Sequence, residues 1–147
     1  MKTSARNQFP GVVTVVRDGA VNDEIDLEIA PGHVLAATIT HESRRVLKLE
    51  VGAKATALVK ASSVVLVTGG ADMQFSARNQ FTGKVDDVTG GAVNSEVTVL
   101  LPSGARVVAI VTNASVGSLG LRRGDEVTAM FKASSVILAV PRTTGSH

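Results

Sequence analysis

SARNQF occupies Ser4–Phe9 and returns unchanged at Ser76–Phe81. The residues are chemically varied, so low complexity does not explain the match. Outward from these two copies, the same offset holds without a gap. GAVND at Gly19–Asp23 meets GAVNS at Gly91–Ser95, and KASSVVL at Lys60–Leu66 meets KASSVIL at Lys132–Leu138. Gly11 meets Gly83, Thr40 meets Thr112, Ser43 meets Ser115 and Gly52 meets Gly124. The chain is a tandem duplication, and the two halves are expected to share one fold. The expected boundaries are residues 1–68 for the first domain, 69–75 for a Gly-containing joint, 76–141 for the second domain and 142–147 for a tail. A unit of roughly 65 residues lies near the lower limit for a self-sufficient core, so packing between halves and oligomerisation are both expected.

Each half reads as mostly strand. NQFPGVVTVV is rich in β-branched residues, and Pro10 places a bend or an edge near its start. DEIDLEIA alternates, with Ile25, Leu27 and Ile29 on one face and Asp26 and Glu28 on the other. EVTVLL repeats this with Val97, Val99 and Leu101. HVLAATIT and ARVVAIVT suit a third strand, AKATALVK and DEVTAMFK a fourth, SVVLV and SVILA a fifth. Turn signals such as RDGAVN, APGH and PSGA separate them. THESRRVLKLEVG and TNASVGSLGLRRG break the pattern, and Thr40 and Thr112 stand where N-caps of a short helix would. Three strands, a short helix and two strands is the order of a five-stranded Greek-key barrel of the OB type. The expected fold is therefore all-β with one short helix per domain, two OB-like five-stranded barrels in tandem.

Composition narrows the function. The 147 residues are 44% hydrophobic and 19% charged, with a net charge of +2. That is globular and only mildly basic, short of the dense patch duplex DNA usually demands. Without cysteine there are no disulfides, thiolates or Cys-ligated zinc. The start, MKTSARNQFPG, lacks the apolar run of a signal peptide, and no run approaches the roughly 20 apolar residues of a spanning helix. A cytoplasmic protein is expected.

Catalytic groups are sparse. His33 sits in an expected turn, His41 at an expected helix start and His147 at the last position; Ala105 and Asn113 replace the first two in the second copy. They read as exposed loop histidines, and no Ser-His-Asp arrangement emerges. Glu24 and Glu96 recur at a strand start, but Asp23 becomes Ser95 and Asp26 becomes Thr98, so no carboxylate pair or bare-cation site is preserved. An enzyme is not expected.

The recurring polar residues are mostly hydrogen-bond donors. They include Ser4, Arg6, Thr40, Ser43, Lys60 and Ser62, with copies Ser76, Arg78, Thr112, Ser115, Lys132 and Ser134. A small tetrahedral dianion offers only acceptor oxygens, so hydroxyls, backbone N–H groups and nearby cations suit it. KASS supplies hydroxyls beside a lysine, and N–H groups near Thr40 and in the GAVN turn add donors. Turn and cap duty accounts for the same Ser, Thr and Asn residues, and residue chemistry leaves both readings open.

SARNQF, TITHES with LKLEVG, and KASSV, then SARNQF, IVTNASVGSLGLRRGDEV and KASSV, occur in order. Together they resemble the molbindin, or Mop-domain, family of molybdate-binding proteins over nearly the whole chain. The arrangement resembles the stand-alone two-domain molbindins; no phosphate-binding Gly-Lys-Ser/Thr loop or DNA-binding segment is seen. The resemblance implies OB-like barrels, six domains about a threefold axis, and hence a homo-trimer of two-domain chains. It implies molybdate as bound ligand, tungstate as well, storage rather than chemistry, and no cofactor. Ser4, Arg6, Lys60 and Ser62 from one domain would meet Thr40 and Ser43 of a neighbour; Ser76, Arg78, Lys132, Ser134, Thr112 and Ser115 repeat the set. A second kind of site would use the main chain of Ala20, Val21 and Asn22 and of Ala92, Val93 and Asn94. Neither nucleic acid nor membrane is an expected partner.

The halves diverge at the helix. His41-Glu42 becomes Asn113-Ala114, Arg44-Arg45 becomes Val116-Gly117, and Lys48 stands where the second copy has Gly120. Glu42 near an anion site implies unequal affinities. The runner-up function is an OB-fold single-stranded nucleic-acid binder, which would need aromatic stacking platforms. Only Phe9, Phe75, Phe81 and Phe131 are aromatic, and Phe9 and Phe81 fall at core positions.

Overall fold

The computed structural model describes residues 1–142. From residue 143 onward the expected tail, with His147, lies outside the described residues. The first half runs β1 (Asn7–Arg17), β2 (Asn22–Ala30), β3 (His33–Thr40), α1 (His41–Leu47), β4 (Lys54–Val59) and β5 (Val65–Val67). The second repeats it as β6 (Asn79–Gly90), β7 (Asn94–Leu100), β8 (Arg106–Thr112), α2 (Asn113–Leu119), β9 (Glu126–Phe131) and β10 (Ile137–Ala139). The expected tandem of OB-like, five-stranded units with one short helix each is what is found. A 3₁₀ turn at Ala61–Ser63, with its copy at Ala133–Ser135, was not expected; it shortens the last strands, which the sequence reading began at the preceding serines.

Alternation builds the core. On β2, Ile25 and Leu27 point inward and are fully buried; Val97 and Val99 do the same on β7. These pack with Phe9, Val13, Leu35, Val59, Phe81 and Phe131 into one core continuous through both halves. The inward parity of β2 also includes Asp23, one of four buried polar residues among the described residues, with Asn7, Asn79 and Ser95. Burial of such groups requires partners, and each has them.

Both sheets are antiparallel, and they exchange their final strands. The orders are β10-β4-β1-β2-β3 and β5-β9-β6-β7-β8. Leu138 thus pairs with Ala57, and Leu66 with Ala129. Each barrel is completed by the other half, so the folded units do not coincide with the linear halves. Near-identical SVVLV and SVILA segments fit either sheet, and the chain pattern cannot tell self from exchanged pairing.

Pro10 is accommodated as its chemistry requires. It opposes Thr56 on β4, while pairing of β1 with β2 begins only at Val12, opposite Glu28. At Pro10 the strand is locally an edge. Both long strands carry a register shift at equivalent places, between Val13 and Val15 and between Val85 and Asp87. The joint between halves folds back on itself: Met73 N–H donates to the Gly70 carbonyl at 3.0 Å, and Gln80 Nε2 donates to the Phe75 carbonyl at 3.2 Å.

Candidate functional site

Each SARNQ segment lies on the opposite half. Asn7 uses both ends of its amide on β8: Nδ2 donates to the Val108 carbonyl at 2.8 Å, and Oδ1 accepts the Val108 N–H at 2.7 Å. Asn79 does the same to Ala36 on β3, at 2.8 Å in both directions. The amide acts as one extra strand residue on an edge that would otherwise bury bare backbone groups. Neither Asn was a candidate ligand, but their recurrence was visible.

One residue earlier, Arg6 reaches Glu96, whose register partner is Ile110. The segment therefore runs from Val108 towards the Thr112 end of β8. The 3₁₀ turn that carries Ser62 also packs on β8. By the same logic Arg78 reaches Glu24, opposite Thr38, and the turn carrying Ser134 packs on β3, which ends at Thr40. The SARNQ segments and the 3₁₀ turns thus cross between the halves within one chain. Ser4, Arg6, Lys60 and Ser62 of the first half approach the strand that leads to Thr112 and Ser115. Ser76, Arg78, Lys132 and Ser134 of the second approach the strand that leads to Thr40 and Ser43.

The threonines are N-caps, as expected. Thr40 Oγ1 accepts the Ser43 N–H at 3.0 Å, and the two hydroxyls lie 2.8 Å apart; Thr112 and Ser115 repeat this at 3.1 and 2.8 Å. The Ser43 and Ser115 N–H groups are therefore engaged within the helices, and the hydroxyls are what these caps present to solvent. Ser4, Ser62, Ser76 and Ser134 are exposed, as are Lys60 and Lys132. Neither lysine has a carboxylate partner among the described residues.

The arginines are differently placed. Arg6 grips Glu96 and Arg78 grips Glu24. The two glutamates that the sequence reading set aside as polar strand starts are the counterions of candidate ligands. The Glu24 carboxylate, through its hydrogen bond and its charge, holds the Arg78 guanidinium above its ordinary basicity.

The Gly-led turns sit at the same end of each unit. Asn22 is the register partner of Thr40, and Asn94 of Thr112. The Val21 carbonyl accepts the His41 N–H at 3.0 Å, and the Val93 carbonyl accepts the Asn113 N–H at 2.9 Å. A Cβ on Gly19 would stand 2.0 Å from the Asn22 carbonyl oxygen, so the turn closes only around glycine. Ala20, Val21, Asn22, Ala92, Val93 and Asn94 are all exposed.

Two histidine readings are corrected. His33 is not a free loop residue: it is half-buried at the start of β3, edge-on to Phe81 with ring centroids 4.4 Å apart, and burial lowers its basicity. His41 is exposed but tied, with Nδ1 2.9 Å from the buried Asp23 carboxylate. Asp23 also accepts the Gly19 N–H at 3.0 Å and Arg44 Nη1 at 3.3 Å. Its carboxyl is held below the usual value, most by the Gly19 N–H, against the opposing effect of burial. Asp18, Asp23 and His41 place ligand atoms within 4.8 Å of one another. Arg44, bonded to both carboxylates, already supplies a cation there.

Compared with known protein families, residues 3–66 and 76–138 each match the TOBE domain. The chain belongs to the TOBE-domain family and carries the domain twice. Within that family it is one of the molbindin, or Mop, proteins. It is 46% identical to the cytoplasmic molybdate-binding protein ModG in a crystal form with molybdate bound, with a TM-score of 0.93 over 96% of this chain and 100% of that one. It is 49% identical over 140 residues to the molybdenum transport protein ModE of Azotobacter vinelandii, covering 95% of this chain and 52% of that protein. It is 44% identical over 141 residues to the molybdenum-pterin-binding protein MopA of Rhodobacter capsulatus, covering 96% and 53%. The chain spans about half the length of these curated relatives. The TOBE domain is a binding module, and neither these relatives nor the site chemistry indicates catalysis or a cofactor-dependent enzyme.

Proposed function

We propose that this molbindin binds molybdate, and tungstate by the same tetrahedral chemistry, and holds it in store without transforming it. The observation that carries this reading is the TM-score of 0.93, over nearly all of both chains, to a protein with molybdate bound. The crossing of the SARNQ segments and the 3₁₀ turns between the halves supports it. Hydroxyls of Thr112, Ser115, Ser4 and Ser62, with Lys60, form one oxyanion site; Thr40, Ser43, Ser76, Ser134 and Lys132 form its copy. Arg6 and Arg78 add guanidinium donors, of which the glutamates use only part. The turns at Ala20–Asn22 and Ala92–Asn94 offer a second kind of site if copies of the chain meet there.

An assembly, a homo-trimer in this reading, is supported by exposed apolar side chains. Val21 and Val93 at the turn tips are 73% and 70% exposed, and Val65 and Ile137 on the exchanged strands 57% and 62%. The reading places the protein in the cytoplasm; no helix among the described residues is long and apolar enough to cross a membrane. A regulatory role, in keeping with the similarity to the DNA-binding transcriptional dual regulator ModE of Escherichia coli, would use the same anion site. The single-stranded nucleic-acid reading is disfavoured because Phe9, Phe81 and Phe131 are buried and Phe75 is half-buried, leaving no fully exposed phenylalanine for stacking.

Equilibrium dialysis against micromolar molybdate with sulfate in excess tests the function. Retention of molybdate is expected; its absence overturns the reading. Native mass spectrometry with and without molybdate gives subunit number and anion count together, and a monomer in both states would remove the trimer.

A further inference from the structure

A shallow cavity of about 680 Å³ lies between the C-terminal end of α1, the start of β4 and the chain leaving the exchanged strand β10. Three cations line it: Lys48 caps α1, Lys54 opens β4 and Arg142 follows β10. Its other lining residues are apolar, among them Val46, Ala53 and Val140. None of the three cations has a carboxylate partner among the described residues. The cavity sits at the opposite end of α1 from the Thr40–Ser43 cap, so it is not part of the oxyanion site.

The duplication supplies an internal control. Where the first half and β10 bring Lys48, Lys54 and Arg142, the equivalent positions hold Gly120, Glu126 and Gly70. Val46, Ala53 and Val140 have Ser118, Asp125 and Thr68 as counterparts. A cationic, apolar wall is thus matched by an acidic, polar one on the same scaffold, and the barrel itself demands neither. Lys48 adds a second observation. It is the one non-glycine residue with a positive φ among the described residues, at 55°. A lysine anywhere in the last turn complements the helix dipole without that strain. Strained residues of this kind concentrate where a ligand is held.

We propose that this cavity binds a small organic phosphate, with the phosphoryl group on Lys48, Lys54 and Arg142 and a compact apolar body against Val46 and Val140. A bare oxyanion has no use for an apolar wall, since every outer atom of it accepts hydrogen bonds. A wholly apolar ligand has no use for three cations. A phosphomonoester carries close to two negative charges at neutral pH, and the Arg142 guanidinium fork matches its oxygens. The volume falls within the range of about 300–1,000 Å³ typical of small-molecule sites. The proposal is independent of molybdate binding, because it uses none of the candidate oxyanion ligands.

The test is calorimetric titration of the full chain with phenyl phosphate. Inorganic phosphate, which lacks the apolar body, and phenol, which lacks the charge, are the matched arms. Phenyl phosphate should bind at least about tenfold more tightly than either. Lys48→Gly and Lys54→Glu install the second half's residues, and each should weaken phenyl phosphate at least about fivefold, the scale of one charge acting on a dianion near the surface. Urea denaturation shows that each variant is folded, and two variants cover the failure of one. Molybdate retention should be the same in both variants as in the unmodified protein. Equal affinities for phenyl phosphate and inorganic phosphate would reduce the cavity to a cluster of surface cations and overturn the proposal. No saturable binding of phenyl phosphate up to about 1 mM, or binding unchanged in both variants, overturns it as well. Displacement of phenyl phosphate by a lower concentration of a glutamate-rich peptide would make the cavity a protein-docking face and overturn the small-molecule reading. Each of these failures leaves the oxyanion reading intact.

Discussion

Arg6 in the first half and Glu96 in the second form a two-pronged ion pair, Nη1 to Oε2 at 2.5 Å and Nη2 to Oε1 at 2.8 Å. Its copy joins Arg78 to Glu24 at 2.5 Å. Both pairs cross between halves, and both are open to water, with Arg6 51% and Glu96 32% exposed. Exposed ion pairs contribute little to stability, so Arg6→Ala and Arg78→Ala should each cost less than about 1 kcal/mol in urea denaturation. If the remaining guanidinium donors serve the anion, molybdate affinity should fall at least about tenfold, the value of one charge-assisted hydrogen bond. Calorimetry on the same variants decides it. Large destabilisation with unchanged affinity would make these arginines interface pins rather than ligands.

Asn7 and Asn79 carry the opposite expectation. Both are buried, and each satisfies an N–H and a carbonyl of the other half. Asn7→Ala leaves the Val108 pair without partners, and each orphaned buried group costs about 1–3 kcal/mol. Asn7→Ala and Asn79→Ala should each destabilise the fold by about 2–4 kcal/mol in urea denaturation. Asn7→Asp should not rescue, because a carboxylate cannot donate to the Val108 carbonyl. A loss under about 1 kcal/mol in Asn7→Ala would mean that water replaces the amide.

The strands, the helices and their caps were legible because each depends on nearby residues: period-two alternation in β2 and β7, and Thr40 and Thr112 before the helices. The duplication made the candidate donors legible by showing which polar residues recur. Strand exchange was not legible, since Leu66 and Leu138 sit in near-equal segments and only tertiary geometry assigns the partner. The Arg6–Glu96 pair was missed for a related reason. Glu24 and Glu96 were read against their neighbours in sequence, whereas their partners come from the opposite half. Asp23 gave a usable signal, because counting by twos from Ile25 and Leu27 puts it on the core face. A buried carboxylate there demands donors, and His41 and Gly19 are among those the fold supplies.

Lys48 ends α1 in the left-handed conformation, at φ 55°, where Gly120 ends α2 at φ 62°. A side chain pays for that conformation by roughly 1 kcal/mol, and glycine does not. Lys48→Gly should therefore raise stability by about 0.5–1 kcal/mol, and Gly120→Lys should lower it by a similar amount, both read as thermal midpoints. A Lys48→Gly variant less stable than the parent would show that the lysine side chain makes a compensating contact in the assembled protein.

His33 couples the fold to pH with a definite sign. Burial lowers its pKa from the ordinary 6.5, so the folded state favours the neutral ring beside Phe81. The unfolded chain then binds the proton more readily, and stability rises with pH where only the unfolded state is protonated. The contribution is complete above about pH 6.5 and is lost as pH falls from there through the lower folded-state value. The second half has Ala105 at this place, so His33→Ala is a natural comparison. Thermal melts from about pH 8 down to about pH 5 should show the unmodified protein losing more of its midpoint than His33→Ala. His41 and Asp23 are present in both, so the difference between the two profiles isolates His33. Parallel profiles would show that the ring is protonated equally in the folded and unfolded chains.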